Sequence, residues 1–295
     1  MCGRFCCSLN RASVTTELYN HAVCEDKDIT WLDKDKYVAS YNVCPTRYVL
    51  ALYQDTVSKH KVLQSMQWGF IPSWSKNSAM AKPINARSET LQETSIFSSA
   101  KPCIIIAEGF YEWKTSSTKI PFYVKRRDGQ LMLFAGLYDT NKHFGDKLTT
   151  CAIITTQASE FFAVIHNRMP VILETKDVDL WLDHGTLLSK SVIHLLKPYK
   201  GPLQCYQVSN EVGQTKKDTP DLIVPIDSKK SSITHFLTYV DPTVVAAQKE
   251  EPIDNEKVSV KRKEPPNDTV VPKKKRERPS NNTLITHFFN KEKHE

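Results

Sequence analysis

The amino-acid sequence predicts an α+β fold with a mostly antiparallel, barrel-like or two-sheet core, peripheral helices and a disordered C-terminal tail. Three observations lead to this prediction. The chain has 295 residues, 40% of them apolar, which is enough for one sizeable core. Many short β-branched or aromatic segments are bounded by turn signals. All nine glycines and all five tryptophans lie before residue 214, so the composition changes toward the C-terminus.

The strands are predicted from segments rich in Val, Ile, Leu, Thr and aromatic residues. An Asp128-Gly129 pair between the third and fourth segments is typical of a hairpin turn. Mostly antiparallel strands with few helices define the α+β class. The segments are VLALYQ (49–54), CIIIAEGFYEW (103–113), FYVKRR (122–127), LMLFAGLYD (131–139) and TTCAIITTQ (149–157).

Three helices are predicted, over residues 14–22, in DVDLWLDHG, where Gly185 is a stop signal, and in LLSKSVIHLLK. An apolar run of about 18 residues, which a membrane span needs, does not occur. The start, MCGRFCCSLN, lacks the apolar stretch of a secretory signal. We therefore expect an intracellular, monomeric protein whose eight cysteines are reduced. Because the cysteines form no C-x-x-C pair, we expect neither a metal nor another cofactor.

A boundary is predicted near residue 228, which separates a domain at 1–228 from a tail at 229–295. The tail is polar, charged and proline-bearing, and such a segment buries too little apolar surface to fold. The formal net charge is +7. Fourteen Lys or Arg and ten Asp or Glu in the tail contribute +4, which leaves +3 for the first 228 residues. A DNA-binding surface on the domain must therefore come from local clustering of charge.

Two features of the tail predict where the protein acts. Two basic clusters, at 261–263 and 273–276, are typical of a bipartite nuclear localisation signal. The tetrapeptide Ile-Thr-His-Phe occurs at 233–236 and again at 285–288. In the second copy, Ile285, Phe288 and Phe289 would lie on one face of a helical turn. That pattern resembles the peptide motif that docks on the sliding clamp proliferating cell nuclear antigen, although chance apolar spacing is the alternative.

The chemistry of the N-terminus depends on Cys2. Removal of Met1 would leave Cys2 with an α-amine, whose ordinary pKa is about 7.7–8.0, and a thiol, whose ordinary pKa is about 8.5. An aldehyde can form an imine with the amine, and the thiol can then close a five-membered thiazolidine ring. Taken by itself, however, Cys2 is equally an ordinary early cysteine.

Six segments in order combine turn residues, polar groups and aromatic residues. Together they resemble the SOS-response-associated peptidase family, from Cys2 to about Asp227. The resemblance implies a sensor and shield of abasic sites in single-stranded DNA and at fork junctions, which forms a covalent crosslink through the cysteine in a lyase-type reaction. The segments are MCGRF (1–5), YNVCPT (41–46), WGFIPSW (68–74), INARSET (84–90), EGFYEW (108–113) and IHNRMP (165–170).

The resemblance also implies roles for single residues. Cys2 would be the nucleophile, and Asn85 would bind near the terminal amine and the sugar. Glu112 resembles the acid/base carboxylate, and His166 resembles the histidine that faces the opened sugar. Opening the closed sugar needs one proton delivered to the ring oxygen and another removed from the hydroxyl, and a carboxylate and an imidazole suit that work.

Five further residues are implied to contact DNA. Arg4 and Arg87 resemble the phosphate-binding arginines, and a guanidinium grips phosphate through two hydrogen bonds. Asn42, Pro45 and Trp68 fall in segments that line the DNA groove in the family. Trp68 would offer a stacking face for an unpaired base.

Two other functions stay open at this stage. Cys2 and His166, oriented by Asn85, resemble the arrangement of a thiol peptidase that processes its own N-terminus. Alternatively, the groove would serve a non-covalent reader of modified cytosine. The second alternative gives no reason for a cysteine at position 2.

Overall fold

The structure is a computed structural model, and it describes residues 2–77, 80–115, 117–144, 147–183 and 190–226, except for the side chains of Lys190 and Ser191. The predicted tail at 229–295 lies outside the described residues. Its localisation signal and the clamp motif of Ile285, Phe288 and Phe289 therefore remain predictions.

The described residues are mainly strands with short helices between them. The strands are β1 (Arg4–Cys7), β2 (Trp31–Leu32), β3 (Ser40–Val43), β4 (Tyr48–Gln54), β5 (Lys61–Trp68), β6 (Asn85–Arg87), β7 (Lys101–Ala107), β8 (Gly109–Thr115), β9 (Lys119–Arg126), β10 (Met132–Asn141), β11 (Leu148–Gln157), β12 (Arg168–Pro170), β13 (Ile172–Leu173) and β14 (Leu203–Gln207). The α-helices are α1 (Arg11–Asn20), α2 (Glu160–Ala163), α3 (Val178–Leu182) and α4 (Lys190–Ile193). Short 3-10 helices cover Lys34–Lys36, Ser88–Thr90, Ser95–Phe97, Thr175–Asp177, Asn210–Gly213 and Pro220–Ile223.

The larger sheet closes into a barrel. The strands β5, β4, β7, β10 and β11 pair antiparallel in that order. A parallel pairing of β11 with β5, at Cys151 opposite Trp68, joins the two ends. Closure removes the exposed edges of these strands. The α+β class and the mostly antiparallel, barrel-like core are therefore confirmed.

The smaller sheet carries the N-terminal strand. Its order is β14, β9, β8, β1 and β3, with β1 between β8 and β3. Aromatic rings join this sheet to the barrel, because Phe134 of β10 lies 6.1 Å from Phe5 of β1 and 6.0 Å from Phe110 of β8. All three rings are fully buried. Burial of this kind stabilises a side chain by roughly 1.5–3 kcal/mol, so the start of the chain is held against the core.

The predicted strand CIIIAEGFYEW is two strands in different sheets. β7 belongs to the barrel and β8 to the smaller sheet, and the chain changes sheets at Glu108. A Cβ atom added at Gly109 would lie 2.5 Å from the ring of Tyr123. Glycine is therefore required where the two backbones approach closely.

The predicted hairpin through Asp128-Gly129 is wrong, although the turn exists. Gly129 has a φ of +76°, and the guanidinium of Arg126 donates hydrogen bonds of 3.0 and 2.6 Å to Asp128. The flanking strands do not continue as partners, because β9 lies between β8 and β14 while β10 lies between β7 and β11. A turn sequence specifies a local backbone conformation, and the partner of each strand is decided by the sheet.

The helices differ from the predicted ones in their bounds. α1 begins at Arg11, three residues before the predicted start, because Asn10 caps it by accepting a 2.9 Å hydrogen bond from Ser13 N. α3 and α4 each occupy part of a predicted segment. Within the described ranges, none of the helices is long and apolar enough to cross a bilayer.

Candidate active site

Cys2 lies where the N-terminal segment meets the barrel. In the pairing of β1 with β8, Arg4 is opposite Tyr111, so the residues before Arg4 run along the next part of β8. Cys2 is fully buried. The amide of Asn85 donates a 2.9 Å hydrogen bond from Nδ2 to the carbonyl oxygen of Cys2. The predicted residues Cys2 and Asn85 are thus brought together by the fold.

Glu112 is the charged neighbour of Cys2. Its side chain is buried, with 6% exposed, and its Oε1 accepts a 3.2 Å hydrogen bond from Trp113 N. Burial is the main reason that the pKa of the Cys2 thiol lies well above its ordinary value, and the negative charge of Glu112 adds to the effect. The thiol is therefore protonated at neutral pH.

The amide of Asn85 also carries a buried acceptor atom. Its Oδ1 is buried, and no described residue donates a hydrogen bond to it. A buried acceptor without a donor costs roughly 1–3 kcal/mol. Asn85 is fixed by β6, in which it lies opposite Ile153 of β11. The amide thus binds Cys2 through Nδ2 and retains an acceptor on its other atom.

His166 lies just before β12 and is half-buried. Its Nδ1 is 3.0 Å from Arg168 N and 3.1 Å from Arg168 O. Nδ1 can accept from the backbone N–H or, when it carries the ring proton, donate to the carbonyl oxygen. The backbone of Arg168 therefore holds the orientation of the imidazole.

An ion pair that the sequence did not predict connects two of the motifs. Arg168 Nη1 and Nη2 donate hydrogen bonds of 2.6 and 2.9 Å to the two carboxylate oxygens of Glu89. Nη2 also donates a 2.8 Å bond to Thr155 O. Thr155 lies opposite both Arg87 and Pro170. The opposite charges in INARSET and IHNRMP were the available signal for this contact.

Two of the predicted DNA-binding residues lie toward solvent. Arg87 is exposed at the end of β6, and Pro45 is half-buried in the turn after β3. That turn is fixed by hydrogen bonds of 2.8 Å from Thr46 N to Trp68 O and 2.9 Å from Trp68 N to Arg47 O. Both positions are compatible with a nucleic-acid surface.

Arg4 and Asn42 are instead engaged within the protein. Arg4 Nη1 donates to Asn42 Oδ1 at 2.8 Å and to Val212 O at 2.7 Å. Asn42 is 1% exposed, and its Nδ2 donates a 2.8 Å bond to Lys217 O. The groove-lining role predicted for Asn42 does not match this burial, because the amide holds the 212–217 loop against β3. The phosphate role of Arg4 stays a prediction.

The stacking role predicted for Trp68 is wrong. Trp68 is fully buried, its ring centroid lies 5.1 Å from that of Phe5, and its indole N–H donates a 2.9 Å bond to Ile84 O. The exposed aromatic residue of this segment is Trp74, with 51% of its surface accessible. Sequence alone offered one signal: Trp68 ends an apolar strand, whereas Trp74 follows a proline and a serine.

The loop that carries Trp74 is tightly held. Asn141 Nδ2 donates hydrogen bonds of 2.8 Å to Pro72 O and to Ser75 O. Ser73 N donates a 2.7 Å bond to Asp139 Oδ2. Asn141 and Asp139 are both buried. The indole of Trp74 is thus presented on a fixed backbone.

The eight cysteines all carry free thiols. In the part of the chain that the structure describes, no group of three or more His, Cys, Asp or Glu side chains is arranged to hold a metal ion. Among the predicted catalytic residues, Asn85 and Glu112 lie against Cys2, whereas the contacts of His166 described above are with the backbone of Arg168.

The fold and the site define a β-barrel protein with a buried cysteine at position 2, which lies beside a buried glutamate and whose backbone carbonyl accepts a hydrogen bond from an asparagine amide. The family model of the SOS response associated peptidase (SRAP) matches residues 1–215. The chain belongs to this family.

Relatives from three kingdoms share much of the chain. Abasic site processing protein YMR114C of Saccharomyces cerevisiae is 35% identical over 247 residues, 79% of this chain and 66% of that protein. Abasic site processing protein YoqW of Bacillus subtilis is 40% identical over 201 residues, 65% of this chain and 89% of that protein. Abasic site processing protein HMCES of Gallus gallus is 30% identical over 264 residues, 77% of this chain and 78% of that protein. This chain thus spans just under two thirds of the yeast relative.

Solved structures share the fold. A protein from Bacteroides thetaiotaomicron superposes with a TM-score of 0.64 at 24% identity, over 76% of this chain and 100% of that chain. A protein from Bordetella bronchiseptica gives 0.55 at 22% identity, over 70% and 100%. At these identities the likeness concerns the fold alone.

Proposed function

We propose that the protein senses and shields abasic sites in single-stranded DNA by forming a covalent thiazolidine crosslink through Cys2 after Met1 is removed. The names of the relatives, abasic site processing proteins, support the substrate. The observation that carries the proposal is the 2.9 Å hydrogen bond from Asn85 to the carbonyl of Cys2. It fixes residue 2 beside a buried carboxylate, where an α-amine and a thiol would share one small site.

In the first step the α-amine attacks the aldehyde carbon of the opened sugar. The carbonyl oxygen leaves as water, and an imine forms between the nitrogen and that carbon. The amine is the first nucleophile because burial and the charge of Glu112 keep the pKa of the thiol high. Asn85 Oδ1, the buried acceptor, would accept a hydrogen bond from the amine and direct its lone pair.

In the second step the Cys2 sulfur adds to the imine carbon. A carbon–sulfur bond forms, the electron pair of the C=N bond passes to nitrogen, and the thiol proton is transferred to that nitrogen. Glu112, whose charge acts on the thiol, would relay the proton. The product is a thiazolidine, and the two steps together release one water. The ring closure makes the crosslink more durable than the imine.

Opening of the sugar precedes both steps. His166, whose ring is held by the backbone of Arg168, would deliver a proton to the ring oxygen. The carboxylate of Glu112 would remove the hydroxyl proton. In this step His166 acts as the acid and Glu112 as the base.

The surface for DNA is proposed to include Arg87, Pro45 and Trp74. Arg87 is exposed at the end of the strand that begins with Asn85, so its guanidinium can meet the phosphate next to the reacting sugar. Trp74 is half exposed on a held loop and offers the stacking face first assigned to Trp68.

Incubation with single-stranded DNA that carries one abasic site tests this proposal. We expect an adduct that survives denaturing electrophoresis and that intact and peptide mass spectrometry locate on Cys2, with a mass lower by one water than the sum of the reactants. Cys2→Ser keeps the amine but lacks the thiol, so it should form only a labile imine. A stable adduct from Cys2→Ser, or an adduct on another residue, would contradict the thiazolidine.

The same site is proposed to release residues that precede Cys2, as a self-processing thiol peptidase. The family's description as a peptidase and the buried carboxylate beside Cys2 support this activity. A variant with a short N-terminal extension should lose the extension during purification. Glu112→Gln in the same extended protein should retain it, and equal release from both would exclude autoprocessing.

The tail contributes two proposals that rest on its sequence. Its basic clusters would direct the protein to the nucleus, and Ile285, Phe288 and Phe289 would bind the sliding clamp at replication forks. Replacement of Phe288 and Phe289 by alanine should abolish binding to the clamp while leaving DNA crosslinking unchanged. Retained clamp binding would exclude this motif.

A further inference from the structure

Glu89 has no role in the reaction proposed above, yet it forms a two-point ion pair with Arg168, two residues after His166. Both of its carboxylate oxygens accept hydrogen bonds from Arg168, at 2.6 and 2.9 Å. The hydrogen bond from Arg168 is also the main reason that the pKa of Glu89 lies below its ordinary value. The carboxylate is therefore charged at neutral pH, and a paired, two-point contact restricts both side chains.

Arg168 connects this ion pair to His166. The guanidinium lies between Glu89 and Thr155 O, to which it donates a 2.8 Å bond. The backbone N and O of the same residue lie 3.0 and 3.1 Å from His166 Nδ1. The side chain and the backbone of Arg168 thus hold the 84–90 segment and the imidazole at the same time.

The Glu89 carboxylate balances the charge of a guanidinium that has little access to water. The side chain of Arg168 is only 15% exposed, and its Nε finds no hydrogen-bond acceptor among the described residues. A largely buried cation that loses its counter-charge must move toward water or another anion. Because β12 begins at Arg168, such a movement would reach the backbone atoms that bind His166.

We propose that Glu89 is a positioning residue for the crosslinking reaction: its ion pair with Arg168 holds the backbone that keeps His166 in one orientation and one tautomer. The expected effect of Glu89 on the crosslinking rate rests on the proposed function. Its expected effect on the orientation of the His166 ring does not. Glu89 itself touches neither the nucleophile nor the sugar in this scheme. Its influence reaches the reaction only through Arg168 and His166.

The first test separates the rate of reaction from DNA affinity. Single-turnover crosslinking is followed at saturating abasic single-stranded DNA, and affinity is measured with the unreactive tetrahydrofuran analogue of the abasic sugar. We expect Glu89→Gln to lower the saturated rate about 10- to 100-fold, since misplacement of a proton donor has effects of that order. Glu93→Gln is the matched control, because Glu93 is exposed four positions further along the chain and its replacement removes the same charge.

The second test observes the imidazole directly in DNA-free protein. The ring ¹⁵N shifts of His166, assigned among the nine histidines with a His166→Gln variant, report which nitrogen is protonated. Wild type and Glu93→Gln should give the same two ring shifts, those of a single tautomer. Glu89→Gln should give shifts averaged between the two tautomers.

The outcomes distinguish the two proposals. An unchanged saturated rate in Glu89→Gln, a loss that disappears at high DNA concentration, or an equal loss in Glu93→Gln would overturn the positioning role. If wild type forms no adduct at all, the proposed function fails, and the ¹⁵N shifts alone decide the role of Glu89. Unaltered shifts in Glu89→Gln would then overturn it as well.

Discussion

At the scale of single residues, chemistry and burial must be considered together. Cys2, Asn85, Glu112 and His166 were predicted as one group, and the structure places Asn85 and Glu112 against residue 2. Their residue types and motif context carried that prediction. Exposure was less predictable, because Trp68 and Trp74 share one motif while one is fully buried and the other is 51% exposed.

This difference gives a test of the DNA surface. Trp74→Ala should weaken binding of single-stranded DNA about 10- to 100-fold, because loss of base stacking on an aromatic ring costs roughly 1–3 kcal/mol. Its thermal stability should stay near that of wild type, since the indole is half exposed. Binding is measured by fluorescence anisotropy with the tetrahydrofuran analogue.

Trp68→Phe is the matched control for Trp74→Ala. It keeps a large apolar ring in the core but removes the hydrogen bond to Ile84 O, so it should lower stability while leaving DNA affinity within about 2-fold. Wild-type affinity in Trp74→Ala, or a greater loss in Trp68→Phe, would return the stacking role to Trp68.

At the scale of elements, the sequence predicts which segments are strands better than which segments pair. VLALYQ and TTCAIITTQ correspond closely to β4 and β11, because β-branched and aromatic residues favour pleated, half-buried backbone wherever it lies. The sequence does not show that CIIIAEGFYEW is divided into β7 and β8, because both halves are apolar. The two strands are separated only where the chain changes sheets, next to the close backbone approach at Gly109.

The pairing of the elements that carry the site is equally hard to predict from the sequence. β6 has three residues, too few for a periodic pattern, and it joins the barrel by parallel pairing with β11. The contact of Glu89 with Arg168 spans 79 positions, and complementary charge alone does not reveal such a pairing. The resemblance to a family supplied the site residues, whereas the ion pair required the three-dimensional structure.

At the scale of the whole molecule, the barrel and the smaller sheet bury most of the thiols. Burial raises the pKa of Cys7 and Cys205 to about 12. The pKa values of Cys6 and Cys151 are raised further, with burial again the main cause. The folded protein therefore holds these protons at pH values at which the unfolded chain releases them.

This linkage predicts a loss of stability in alkali. Above about pH 9 the unfolded chain binds fewer protons than the folded protein, so the free energy of unfolding falls as pH rises. The stabilisation is complete below the unfolded pKa and is lost progressively toward the folded pKa. Each such thiol contributes about 1.4 kcal/mol per pH unit in that window.

Urea unfolding at about pH 8 and about pH 10, under reducing conditions, measures the effect. Cys205→Ala removes one buried thiol of β14 and nearly conserves volume, so its free energy of unfolding should decline less than that of wild type, by roughly 1.4–2 kcal/mol in total between the two pH values. Buried tyrosines such as Tyr37 have raised pKa values for the same reason and are common to both proteins, so the difference isolates the thiol. Parallel declines for wild type and Cys205→Ala would mean that the thiol of Cys205 ionises equally in the folded and unfolded chains, and that its burial is relieved by local opening before the protein unfolds.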